Sequence, residues 1–190
     1  MINWEEELKI IMPERIYRNI EIAAVDLYKE LRIRDTAFDV FDVANRKGYR
    51  LIAYSKLKRS KREYLRANGY DAINYYDERY KCFVIIYDDK PSLQRQRFSI
   101  MHEIGHILLG HKQESDLARI QANYFAAYAL APNPLIHFYD IEDYVELAET
   151  FNISQECAML CAYRYNNWLQ FGSQDFLPYE NDLMKLFQVA

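Results

Sequence analysis

The run Arg97-Phe98-Ser99-Ile100-Met101-His102-Glu103-Ile104-Gly105-His106-Ile107-Leu108-Leu109-Gly110-His111 holds two histidines four residues apart, with a glutamate directly after the first. On an α-helix that spacing stacks side chains on one face, one turn apart, so His102 and His106 present both imidazoles on one side. Ile100, Ile104, Ile107 and Leu108 make the rest of the helix apolar, which sets these polar residues beside a core. Two neutral imidazoles so placed supply two ligands of a tetrahedral zinc site, and catalytic zinc lowers the pKa of a bound water to about 7. Glu103 leans toward the same edge, where it can take that proton and pass it to a leaving amine. A bare His-Glu-x-x-His arises by chance in unrelated chains. The apolar frame weighs against two ordinary surface histidines, because a carboxylate flanked by imidazoles beside a core needs a partner. Gly105 inside the helix costs about 1 kcal/mol relative to alanine, which makes sense if another element approaches closely there.

Working outward, Ser92 after Pro91 suits an N-cap and Gly110 a stop, so the predicted helix runs from 92 to about 109. Downstream, a helix is expected over roughly 116–130, closed by Pro132 and Pro134, then helical segments at about 141–151 and 154–170, a polar patch at 172–182 and a short amphipathic end. Upstream, Ile16, Ile20, Ala23, Leu27 and Leu31 recur at helical spacing after Pro13. A short helix follows Asp35 or Thr36 and stops near Gly48. Tyr49 to Tyr54 reads as a strand, as do Ala72 to Tyr76 and the β-prone Lys81 to Tyr87. Residues 55–69 carry six basic side chains against Glu63 alone, a solvated loop or helix face, or a contact for an acidic partner. Helices, a small three-stranded sheet and helices again describe an α+β chain.

The formal charge of −4 gives no global attraction to nucleic acid or an anionic membrane. No apolar stretch approaches about 18 residues, so no membrane span is expected, nor does the acidic start read as a signal peptide; a cytoplasmic location is expected. Cys82, Cys157 and Cys161 lack zinc-ribbon spacing, and Cys157 and Cys161, four apart on an expected helix, read as buried small apolar residues.

At these residues the chain resembles the ImmA/IrrE family of bacterial metallopeptidases. Arg97-Phe98-Ser99, the His-Glu-Ile-Gly-His-Ile-Leu-Leu-Gly-His run, Ala122-Asn123-Tyr124-Phe125-Ala126-Ala127 and Leu130-Ala131-Pro132 follow the family pattern in order, with weaker similarity over about residues 20–167. The resemblance implies a zincin-like fold and a zinc cofactor, although two histidines and an oxygen donor also accept other divalent ions. It implies an edge strand that pairs with extended substrate, with Lys81 to Tyr87 as candidate and Phe83 and Ile85 as contacts. It further implies a protein substrate, a DNA-binding repressor of the helix-turn-helix kind. The chain departs from the pattern at one place: family members usually carry a glutamate ligand directly before the Ala-Asn pair, and Gln121 stands here. Gln121 can ligate through its oxygen; Asp116, Glu114 or His111 can substitute; or the site binds metal poorly. His111, off the ligand face, reads as a hydrogen-bonding residue at the helix end. Tyr124 and Tyr128 read as packing residues, with an oxyanion donor as alternative.

Residues 1–137 form the expected metallopeptidase core and 138–190 a helical extension packed on it. One rival is DNA recognition through Leu147 to Ser154, which imitates a helix-turn-helix. The following helix, however, offers one basic residue and an early Glu156 where phosphate contacts are wanted. A stronger rival is a non-catalytic sensor that holds a partner without cutting it.

Overall fold

A computed structural model describes residues 12–113, 115–173 and 175–187. After Pro13, helix α1 (Glu14–Leu31) buries Ile20, Ala24, Leu27, Tyr28 and Leu31 along one stripe. It ends where Arg32 turns left-handed, at φ 49°. The next helix starts later than its sequence suggests. Asp35 spends its carboxylate on the Ala37 amide at 2.9 Å, and Asp39 caps α2 (Val40–Arg46) by accepting from the Phe41 amide. Strand β1 (Arg50–Ala53) follows, then α3 (Arg59–Ala67), β2 (Ala72–Asp77) and β3 (Cys82–Tyr87). The basic stretch therefore folds as a helix.

The strands lie in the order β1-β3-β2. β1 runs parallel to β3 in the register Arg50 to Val84 through Ala53 to Tyr87. β2 runs antiparallel, Ala72 facing Tyr87 and Asp77 facing Cys82. This order corrects the edge-strand expectation for Lys81 to Tyr87: β3 is the middle strand, and its backbone is paired on both sides. Phe83 and Ile85 therefore cannot contact a substrate through an open edge, and Ile85 is fully buried. The run Cys82-Phe83-Val84-Ile85-Ile86-Tyr87 is so apolar because both its faces are covered. Ile85 belongs to the main core, while Val84 and Ile86 join Tyr54 and Leu65 of α3 in a second cluster. The free edge beside the helices belongs to β2.

Helix α4 (Leu93–Leu108) buries Ile100, Met101 and Ile104. Its Ser92 cap accepts from the Arg95 amide. Arg97 near its start is 3% exposed and forms no ion pair among the described residues, Asp39 and Asp35 acting on it only at longer range. Its guanidinium donates to the carbonyls of Phe38, of Ala37 at 3.3 Å and of Phe151 at 3.3 Å, and lies 5.6 Å from the Phe38 ring centroid. One side chain thus ties α4 to the loop before α2 and to a later helix end. Helix α5 (Asp116–Leu130), capped by Ser115, packs across α4. Gly105 permits that crossing: a Cβ there would sit 2.8 Å from Cδ1 of the fully buried Phe125.

Short helix α6 (Asn133–Phe138) follows at once, where the sequence suggested only a stop. Pro134 sits in its first turn, where a missing N–H costs nothing. Then come α7 (Tyr144–Phe151), α8 (Gln155–Phe171) and α9 (Pro178–Phe187). Leu183, Met184 and Phe187 of α9 join the same core as Ile20 and Leu27 of α1. Cys157 and Cys161 are buried and free, and Cys82 is half-buried. No helix among the described residues is long and apolar enough to cross a membrane.

Two stability outcomes follow from these contacts. Gly105→Ala gains helix propensity of about 1 kcal/mol but drives a methyl into Phe125, so a net loss of about 1–2 kcal/mol is expected in denaturant unfolding. A neutral or stabilising result would mean that α5 shifts freely. Asp88, 8% exposed, accepts two hydrogen bonds from Arg66, at 2.7 and 2.6 Å. Arg66 holds that carboxyl below its ordinary value of 3.8. A carboxyl so depressed contributes stability in full above its unfolded pKa and loses it as pH falls through the folded one. Asp88→Asn should cost about 1 kcal/mol at neutral pH, since Arg66 is partly screened by water. The difference from the parent should shrink below pH about 4, and a pH-independent difference would contradict this.

Candidate active site

A cleft of about 660 Å³ runs along the β2 edge between α3 and α4. Its walls include Tyr64 and Asn68 of α3, Asn74 of β2, and His102, Glu103 and His106 of α4. The helical spacing brings the two histidines together as read from the sequence. Nε2 of His102 and Nε2 of His106 are 3.0 Å apart. Glu103, 7% exposed, accepts a 2.6 Å hydrogen bond from Nδ2 of Asn74. That contact locks the carboxylate to the edge strand.

Both rings are held neutral. Burial, reinforced by neighbouring His106, pushes His102 down to about 3. Burial and then His111 push His106 down to about 4. Neutral imidazole is the ligating form. Nδ1 of His102 is buried, and the Asn123 side chain on α5 is the neighbour that acts on the ring from that helix. With its hydrogen on Nδ1, the lone pair of His102 lies on Nε2 and faces His106.

A chain of contacts behind His106 settles the other ring. Oε1 of Gln121 is 2.9 Å from Nε2 of His111, and Nδ1 of His111 is 3.0 Å from Nδ1 of His106. A carboxamide oxygen only accepts, so Nε2 of His111 carries a hydrogen and its Nδ1 is an acceptor. That acceptor takes the hydrogen on Nδ1 of His106, leaving the lone pair of His106 on Nε2. Two lone pairs 3.0 Å apart repel unless a cation or proton lies between them, and burial disfavours the proton. The spacing suits a shared divalent ion: two nitrogens at Zn–N bonds of roughly 2.0–2.1 Å in a tetrahedral array lie about 3.3 Å apart.

The third donor differs from the sequence expectation. Gln121 faces His111, on the far side of the His106 ring from the paired nitrogens. His111 likewise offers its Nδ1 to His106; its backbone amide also closes the end of α4 on the His106 carbonyl at 3.0 Å. Asp116, its side chain 94% exposed, lies 4.0 Å from Arg119 in the first turn of α5. Glu114 lies outside the described residues. Among the described residues no group of three His, Cys, Asp or Glu side chains converges as for a metal. The residues present thus fit two nitrogen ligands, with Gln121 two hydrogen bonds behind them, through His111.

The family model Peptidase_M78, IrrE N-terminal-like domain, matches residues 48–160, more than half of the 190-residue chain. The chain belongs to the Peptidase_M78 family. Among curated proteins there is no match. The matched span runs from β1 into α8 and contains the whole sheet, α4 and α5. Membership in Peptidase_M78 points to a metallopeptidase-type function for this domain.

Asn74, Asn123 and the bridging part of His111 were not singled out by sequence reasoning. Asn123 lies inside the Ala-Asn family pattern, which was a usable signal; Asn74 sits in an ordinary strand and gave none. Tyr124 donates to Glu21 at 2.5 Å and stacks near Tyr128, both buried and turned from the cleft wall, so these are packing residues. On this geometry Gln121→Glu should tighten zinc binding about tenfold or more, by anchoring His111 and through it the His106 ring more firmly. Competition titration with a chromophoric chelator reads this out, and unchanged affinity would detach position 121 from the metal.

Proposed function

We propose that this protein is a zinc-dependent endopeptidase of zincin-like fold that cleaves a helix-turn-helix repressor. The observation that carries the proposal is the pair of Nε2 atoms 3.0 Å apart, with Glu103 alongside and a sheet edge bordering the same cleft. His102 and His106 would hold the ion, with Gln121, through His111, and Asn123 orienting their rings. Zinc, when bound, supplies Lewis acidity toward water and the scissile carbonyl. Glu103 takes a proton from the attacking water and delivers it to the leaving amine. Asn74 keeps its carboxylate turned to the cleft. The open edge of β2 pairs with the extended substrate backbone, the part first given to β3. Peptide hydrolysis consumes only water, so no further cofactor is needed.

The exposed positions of α8 near its start, Gln155, Glu156, Met159 and Tyr163, carry no cation, and Arg164 is engaged over the Tyr124 ring at 4.5 Å. That favours the protein, rather than DNA, as the object of recognition. A second reading draws on Gln121: because its oxygen faces His111, an ion would find two protein ligands among the described residues, and weak loading would leave a sensor that binds its partner without cutting.

Glu103→Gln separates the two. The variant should retain zinc by elemental analysis while cleavage of added repressor falls by about 10²-fold or more. Equal cleavage by parent and variant would remove Glu103 from the mechanism. Partner binding by zinc-free protein without cleavage would establish the sensor.

A further inference from the structure

Resting on the peptidase reading, we propose that α3 makes the cleft selective for acidic substrate segments, because Lys58 and Lys61 stand where alternate side chains of a substrate strand must project. The two faces of the sheet fix this. Asn74 on β2 reaches Glu103 on α4, so its side of the sheet is the α4 side. Ile73 packs with Leu65, Val84 and Ile86, so its side is the α3 side. Successive residues of a strand point to opposite faces. A peptide laid along the β2 edge therefore sends one residue toward Glu103 and the histidines, and its two neighbours toward α3.

The helix surface that receives them follows from spacing. Lys61, Tyr64, Leu65 and Asn68 share one face of α3, at intervals of three and four. Leu65 is buried against the sheet, while Tyr64 and Asn68 line the cleft. Lys61 continues that face one turn beyond the cleft wall, and Lys58 is the N-cap residue that leads into the same end of the helix. Both are exposed.

The charges on this rim are not cancelled locally. Arg59 is taken by Glu63 at 2.6 Å and Arg66 by Asp88 at 2.6 Å. Lys58 and Lys61 make no ion pair with any described residue. Lys112 lines the same cleft. Of the carboxylates there, Asp71 is held by Arg95 at 2.7 Å and Glu103 by Asn74. A chain of net charge −4 thus concentrates unpaired cations beside its one strand edge in the cleft. Rim charges of this kind set partner choice and association rate more than raw affinity.

The test uses the full chain carrying Glu103→Gln, loaded with zinc, and two labelled decapeptides, one alternating valine with glutamate and one alternating valine with lysine. Fluorescence anisotropy at low salt should show the glutamate peptide binding about tenfold tighter. Lys58→Glu with Lys61→Glu should abolish or reverse that preference, and the neutral pair Lys58→Gln with Lys61→Gln should give an intermediate result. Equal binding of the two peptides, binding of neither, or a preference indifferent to the lysine substitutions would overturn the proposal. So would tighter binding of a single-stranded DNA oligonucleotide competing for the same site. Cleavage of a peptide library by the parent protein keeps the two readings apart. Acid-selective binding without any cleavage removes the peptidase and leaves the selective rim; cleavage with no enrichment of Asp or Glu beside the cut does the reverse.

Discussion

The crossing of α5 over α4 at Gly105 sets the distance between the two halves of the site. α4 carries His102, Glu103 and His106, while α5 carries Gln121 and Asn123, the residues that address those rings. With no side chain at 105, Phe125 drops into the space and its ring is completely buried. Burial of such a ring contributes about 1.5–3 kcal/mol, gained only if the backbones are this close. The same approach places Asn123 against His102 and lets Gln121 reach His111. Arg97 fixes the other end: its guanidinium gathers carbonyls from three residues and holds the start of α4 against α2 and α7. The active helix is thereby gripped at both ends, and its histidines are presented with little freedom to spread.

The sheet contributes an edge rather than a core. β3 fills the centre, and its hydrogen bonds are used up by β1 and β2. β2, with Tyr75 and Tyr76 exposed at 42% and 45%, is the edge strand that borders the cleft. Asn74 connects that edge to chemistry, since one amide both belongs to the strand that would bind a backbone and holds the carboxylate that would move the proton. A shift of β2 would therefore disturb Glu103 together with the binding edge.

The helices of the site were legible because their signals are local. Four-residue spacing, Ser92 and Ser115 before helical runs, and a glycine in an apolar helix each act over one or two turns. The edge assignment failed because apolarity reports how thoroughly a strand is covered, and β3 is covered for the reason that disqualifies it as an edge. α2 began late because two aspartates compete to cap it and only pairing decides between them. α6 was hidden by Pro134, a stop signal in mid-helix that is harmless in a first turn. Asn74 was out of reach altogether, since its partner lies 29 positions away across the sheet edge. The spacing placed Gln121 correctly on α5, but no spacing could show that its oxygen is turned to His111.

That last detail changes what a glutamine at this position means. A carboxylate accepts hydrogen bonds at both oxygens, whereas an amide accepts at one end and donates at the other. The direction of a hydrogen-bond chain through two imidazoles depends on which end faces it. With the nitrogen of residue 121 toward His111, every hydrogen in the chain would shift one place, and Nε2 of His106 would become a donor pointed at Nε2 of His102, unable to ligate. With the oxygen there, as found, the same two rings deliver a lone pair to the cleft. Gln121 thus preserves through hydrogen-bond polarity what a carboxylate would secure through charge, and it does so from behind the ligand. An amide at this position offers a cation less electrostatic attraction than a carboxylate would, without disordering the histidine pair.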